Sequence, residues 1–194
     1  SSRRDIAGAI AKLVAEKRER ALEKGYNRIF RFMVAGVPNT GKSTLINLLA
    51  GGARAETGNK AGVTRGKQWV RCDGFDLLDT PGTMPPAFEN QTLALRLAFV
   101  GSVNDDILDL DDIALALLQA LAEKYPARLA ERYGISGGEP LDMLEQVCKK
   151  RGFMMRGGEF DYERAERAVI DDFRKGKLGR ITLDTPDDAR GMDF

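Results

Sequence analysis

Gly36-Val37-Pro38-Asn39-Thr40-Gly41-Lys42-Ser43 is a complete G-x-x-x-x-G-K-S phosphate loop, and the mostly apolar run before it, Ile29 to Ala35, reads as a strand. That setting, strand then loop then helix, is what the motif requires. Glycines let the backbone wrap closely round a phosphate chain, so that amide N–H groups and the next helix N-terminus face the anion. Lys42 then supplies a positive charge and Ser43 a hydroxyl ligand for magnesium. A plain strand-to-helix turn would not need Gly41, Lys42 and Ser43 together.

Outward from the loop, the pattern predicts an α/β part followed by an all-helical part. Ile6, Ile10, Leu13, Val14 and Ala21 recur at near-helical spacing, which predicts a surface helix over 5–24 ending near Gly25. Thr44 to Ala50 continues the phosphate loop as a helix that Gly51 and Gly52 stop, and Glu56 to Lys67 reads as a long polar loop. Gln68–Cys72 and Phe75–Asp79 are strand candidates separated by Asp73-Gly74, a strong hairpin signal. Helical patterns then run through Gln91–Val100, Asp112–Lys124, Pro126–Tyr133, Leu141–Lys150 and Tyr162–Lys175. Small and acidic residues between Gly101 and Asp109 interrupt the pattern. The expected division is therefore residues 1–103, residues 104–185 and a polar, mobile tail over 186–194.

Composition narrows the function classes. A chain of 194 residues with 43% hydrophobic and 30% charged content has the make-up of an ordinary globular protein, with no apolar run long enough to cross a bilayer and nothing resembling a signal peptide. A cytoplasmic location is expected, with neither a membrane nor DNA as partner. Cys72 and Cys148 lie far apart, and the chain has no histidine, so a zinc site is not expected and both read as reduced packing residues. The net charge of +1 hides an early basic cluster and a mid-chain acidic one, so overall charge says little about partners.

The companions of the phosphate loop carry more. Asp79-Thr80-Pro81-Gly82 ends the second strand candidate, where a carboxylate can hold magnesium through water and the Gly82 N–H can meet a γ-phosphate. Thr64 lies in the intervening loop, where its hydroxyl can close over the metal. Ser43, Thr64 and Asp79 thus form an ordered set of oxygen ligands for Mg2+. The N-K-x-D motif that usually reads guanine does not follow; Asn59-Lys60-Ala61-Gly62 lacks the carboxylate and precedes Asp79. A circularly permuted motif order accounts for that absence and for the small number of strands. The base-reading motif would then come before this chain's start, and Ser1-Ser2 would occupy the serine-containing loop that approaches guanine.

At this point the chain resembles the circularly permuted ribosome-assembly GTPases of the YlqF/RbgA type. The resemblance runs through Gly36 to Asn47, Gly62-Val63-Thr64, Gln68-Trp69-Val70 and Leu77 to Gly82, and on through Leu95-Arg96-Leu97-Ala98 and Tyr125-Pro126. It continues in Glu131-Arg132-Tyr133-Gly134, Lys150-Arg151-Gly152 and Leu178-Gly179-Arg180, so it covers nearly the whole sequence. It implies a partial P-loop GTPase domain followed by a helical C-terminal domain that contacts ribosomal RNA, acting on the large ribosomal subunit. It also implies that Asn39, Thr40, Gly41, Lys42, Ser43 and Thr44 hold the phosphates of GTP or GDP, with Gly82 at the γ-phosphate. Asn39 resembles the asparagine that supports K+ binding in related GTPases. One departure stands out: Thr83 and Met84 follow Gly82 where many GTPases carry a water-orienting glutamine, and no histidine exists to replace it. No catalytic residue is therefore named, and intrinsic hydrolysis is expected to be weak.

Basic residues concentrate in the helical part: Lys149, Lys150, Arg151 and Arg156, then Arg174, Lys175, Lys177 and Arg180, interleaved with Phe153, Phe160 and Tyr162. Cations neutralise phosphates and exposed rings stack on unpaired bases, but a solvated helix face would read the same way, and Phe153 equally suits a core. The resemblance tips that balance toward RNA. Two other readings stay open: an RNA-binding module with little nucleotide affinity in this form, and an ATP-using phosphate-loop protein, which Thr64 and Asp79 disfavour.

Overall fold

The computed structural model describes residues 3–52, 66–84 and 90–184. Ser1, Ser2, Thr64, Asn59-Lys60 and the tail over 186–194, each given a role by the sequence, lie outside the described residues. The chain divides into two compact units, Ser1–Pro86 and Ala87–Phe194.

In the first unit, α1 (Arg3–Glu23) precedes β1 (Phe30–Val34), α2 (Lys42–Ala50), β2 (Gln68–Arg71) and β3 (Phe75–Asp79). β3 is central, with order β1–β3–β2. It runs parallel to β1, pairing Phe30 with Phe75 through to Val34 with Asp79, and antiparallel to β2. Its alternating burial fits its place: Phe75, Leu77 and Asp79 point inward. The hairpin expected at Asp73-Gly74 forms, with Gly74 at φ +82° and the Cys72 N–H bonded to the Phe75 carbonyl at 2.9 Å. Ile46 and Leu49 of α2 cover Val70, Phe75 and Leu77, and Ile6 and Ile10 of α1 pack alongside. Arg3 and Arg18 tie α1 to the rest by donating to the carbonyls of Leu49 and Gly74.

The second unit holds α3 (Gln91–Phe99), a 3-10 turn (Asp105–Ile107), α4 (Leu110–Lys124), α5 (Pro126–Tyr133), α6 (Pro140–Arg151) and α7 (Tyr162–Arg174). Its core is α4's Ile113, Leu117, Leu118 and Leu121 meeting Tyr133, Met143, Leu144, Val147, Val169 and Ile170. The helical unit begins earlier than the expected division at 103/104. Ala98 and Phe99 of α3 are buried in this core, with Phe99 edge-on to Phe173 at 6.4 Å. The Gly101–Asp109 stretch is also stitched down, because Arg174 forks onto Asp105 and donates to the carbonyls of Ala98 and Phe99.

Candidate functional site

The phosphate loop leaves β1 at Val34, and the Asp79-Thr80-Pro81-Gly82 segment leaves β3 at Asp79, its register partner. Two loops therefore emerge side by side at the carboxyl ends of parallel strands, the customary ligand position in such sheets. Gly41 caps α2 in the left-handed region at φ +83°, and Asn39, at φ +58°, is the only non-glycine with positive φ among the described residues. Asparagine tolerates that conformation better than most residues. Thr40 Oγ1 and Lys42 Nζ both donate to the Val37 carbonyl at 2.8 Å, which gathers the loop around its own backbone.

The second loop is fastened to the first. Thr80 Oγ1 donates to the Val34 carbonyl at 2.7 Å, and the Thr83 N–H donates to the Gly36 carbonyl at 3.2 Å. Gly82 lies so near Pro38 that a Cβ there would sit 2.5 Å from the Pro38 N and Cα. The sequence assigns no role to Thr80 or Pro38; a threonine or proline in a turn carries no signal of the partner it will meet.

Ser43 Oγ donates to Asp79 Oδ2 at 2.9 Å, so the structure unites the two most distant residues of the proposed metal set. Asp79 is 1% exposed, and its Oδ1 is buried without a hydrogen-bond partner among the described residues. A buried carboxylate oxygen left unpaired is costly unless something else meets it. A hydroxyl and a carboxylate are hard oxygen donors, the type that Mg2+ takes alongside substrate phosphates. The residues present therefore fit that cation. Among the described residues no group of three or more His, Cys, Asp or Glu side chains could hold a metal.

Residues 31–132 match the family described as 50S ribosome-binding GTPase. The chain belongs to that family. Among curated relatives, the ribosome biogenesis GTPase A of Bacillus cereus is 41% identical over 95% of this chain and 64% of its own length. The protein of the same name from Thermotoga maritima is 34% identical over 89% and 63%. A solved GDP-bound structure titled TM YlqF matches with a TM-score of 0.57 at 30% identity, covering 88% of this chain and 67% of that one. This member of the 50S ribosome-binding GTPase family thus spans just under two thirds of the length of these curated relatives.

Elsewhere in this GTPase-family chain, the structure separates the basic residues read as an RNA face. Lys149, Lys150 and Arg156 are exposed, Lys149 lying 3.9 Å from Glu145 and 5.3 Å above the Phe160 ring. Arg151 instead donates to the buried Asp172 at 2.6 Å, joined by Arg132, by the Tyr133 hydroxyl and, on the other oxygen, by Lys177. Burial pushes the Asp172 carboxyl upward, but the hydrogen bonds of Lys177, Arg132 and Tyr133 outweigh it and hold the group below the usual carboxylate range. Arg174 is committed to Asp105 and Lys175 to Asp171. Phe153 and Phe160 pack on the helical core, and the Tyr162 hydroxyl donates to Glu145. Sequence reasoning misses Asp172 because nothing in a helical run marks which acidic residue faces inward. No described helix is long and apolar enough to cross a membrane.

Proposed function

We propose that this chain is the phosphate-gripping part of a GTP-binding and GTP-hydrolysing assembly factor that acts on the large, 50S ribosomal subunit in the cytoplasm. The observation that carries the reading is Asp79: one oxygen on Ser43, the other buried and unpaired, at the mouth formed by two adjoining loops. Asn39, Thr40, Gly41, Lys42, Ser43 and Thr44 would cradle the phosphates of GTP or GDP, Gly82 would face the γ-phosphate, and Ser43, Asp79 and Thr64 would hold Mg2+. The cation would neutralise the phosphate charge and orient the chain of oxygens. Asn39 would support K+, and Ser1-Ser2 would approach the base.

The relatives' name, ribosome biogenesis GTPase A, supports a ribosomal partner. Large-subunit RNA is the partner proposed for the helical unit, through exposed Lys149, Lys150 and Arg156, with Arg151 reaching it only from the edge of its ion-pair cluster. The deciding experiment is a fluorescent-nucleotide titration followed by turnover with and without purified 50S particles, in K+ and in Na+. Preference for GTP over ATP and faster turnover with particles in K+ support the reading. Equal affinity for ATP overturns it, and equal rates in the two salts remove the role of Asn39. The alternative reading is an RNA-binding module with little nucleotide affinity. It predicts RNA binding with no nucleotide signal.

A further inference from the structure

Three sequence segments that share the family resemblance, Glu131 to Gly134, Lys150 to Gly152 and Leu178 to Arg180, are far apart in the chain and carry no nucleotide motif. The fold brings residues of the first two, together with Lys177 just before the third, to one carboxylate. Asp172 Oδ2 accepts from Arg132, Arg151 and Tyr133 at 2.6–3.0 Å, and Oδ1 meets Lys177 at 3.0 Å. Three cations against one carboxylate leave a surplus of two positive charges, held close together at the edge of an apolar core.

Like charges gathered this tightly are costly unless an anion shares them. A single Asp fixes the guanidinium of Arg132 but cannot occupy all of its five donors, and Arg151 meets Asp172 through its Nη2. Both side chains remain about one-third exposed and Lys177 about half exposed, so their outer faces reach solvent. Beside Arg132 and Lys177, but not Arg151, the structure has a polar cavity of about 380 Å3, lined by Arg128, Glu131, Arg132, Lys177 and the Gly176–Gly179 turn. The Arg128 guanidinium lies over Gly179, 3.2 Å from where a Cβ would stand, and pairs with the exposed Glu131 at 3.3 Å, which leaves the single positive charge by which Arg132 and Lys177 exceed Asp172 uncancelled at the cavity. The nearby Asp171 is already matched by Lys175.

We infer that this cavity is a phosphate-binding site, with Arg132, Lys177 and Arg128 contacting a backbone phosphate of RNA and Asp172 holding the cations in place from beneath. It rests on the RNA half of the proposed function and names a place for it distinct from Lys149, Lys150 and Arg156. A structural ion cluster explains the Asp172 contacts but not the cavity or the outward surplus.

The test uses the full chain, a labelled single-stranded oligouridylate and, separately, inorganic phosphate. Arg128→Gln with Lys177→Gln leaves Arg132 and Arg151 on Asp172, so folding should persist, checked by circular dichroism. Affinity for the oligouridylate should fall about tenfold, and the slope of log affinity against log salt should shrink by about 0.7 for each phosphate that is no longer neutralised. In NMR spectra of arginine side chains, the Arg132 Nε signal should move on adding the oligouridylate. Unchanged affinity and slope in the double variant overturn the site while leaving an RNA role for Lys149, Lys150 and Arg156 intact. An Arg132 signal that moves with inorganic phosphate alone overturns the RNA assignment in favour of a free anion. No binding by the unaltered chain overturns both this site and the RNA reading.

Discussion

Gly82 is required by space rather than by backbone freedom. A methyl group there would meet Pro38 backbone atoms at 2.5 Å, and backbone cannot swing aside as a long side chain can. Gly82→Ala is expected to cost about 1–3 kcal/mol of stability and to displace the segment after β3. Guanine nucleotide affinity should fall with it, and a melting curve together with a fluorescent-nucleotide titration would show both; an unaltered melt and titration would contradict the packing. Glu166 makes an opposite case. Burial first, and then the carboxylates of Asp111, Glu163 and Asp109, raise its carboxyl above the usual range. A raised folded value means that the native state binds the proton more firmly than the unfolded chain does. Its cost is therefore absent below the unfolded value of about 4.3, grows as pH rises toward the folded value, and is complete above it. Glu166→Gln should raise the melting temperature at neutral pH and change it little below about pH 4. A gain of equal size in acid would mean that charge is not the cause.

Among the secondary elements, α3 depends on a residue 75 positions away from its last. Arg174 holds the Ala98 and Phe99 carbonyls and both oxygens of Asp105, whose carboxyl the Arg174 hydrogen bond draws below the usual range. Arg174→Ala should cost about 2–3 kcal/mol in urea unfolding and speed amide exchange in the last turn of α3. Normal protection there would refute the strap. The same residue shows where sequence reading stops. Apolar spacing made every described strand and α-helix legible, because a face that must be buried writes its period into the chain. Proline at the first turn marked the starts of α5 and α6. The pattern puts the start of α4 at Asp112, whereas Asp109 caps it through the Asp111 N–H, since a run of acidic residues offers several caps and sequence does not choose among them. Arg174 and Arg151 looked like surface cations because a charged residue shows its type and not its partner. In the site, the G-x-x-x-x-G-K-S and D-x-x-G patterns were readable because chemistry fixes their spacing. Thr80's bond to Val34 and Gly82's fit against Pro38 depend on two strands meeting in register, which no local pattern records.

For the molecule as a whole, the two units rest on unequal cores. Among the described residues the α/β unit buries Val14, Phe30, Ile46, Leu49, Val70, Phe75 and Leu77, whereas the helical unit packs buried side chains from four helices around α4. Apolar burial scales with stability, so amides of α2 and β3 should exchange at a lower opening free energy than those of α4. Mg2+ with GTP at a hundredfold excess over its dissociation constant should add about 2.7 kcal/mol to the protection of α2. Hydrogen exchange measured with and without nucleotide checks this, and equal slowing with GDP, GTP and ATP would argue against guanine-nucleotide recognition. The way the two loops are sutured, Thr80 to Val34 and Thr83 to Gly36, has a bearing on any attempt to re-engineer the chain. Neither can be redesigned alone: a graft that swaps one loop for that of another protein must carry its neighbour with it, and a spectroscopic label on Thr83 would double as a gauge of events at Gly36.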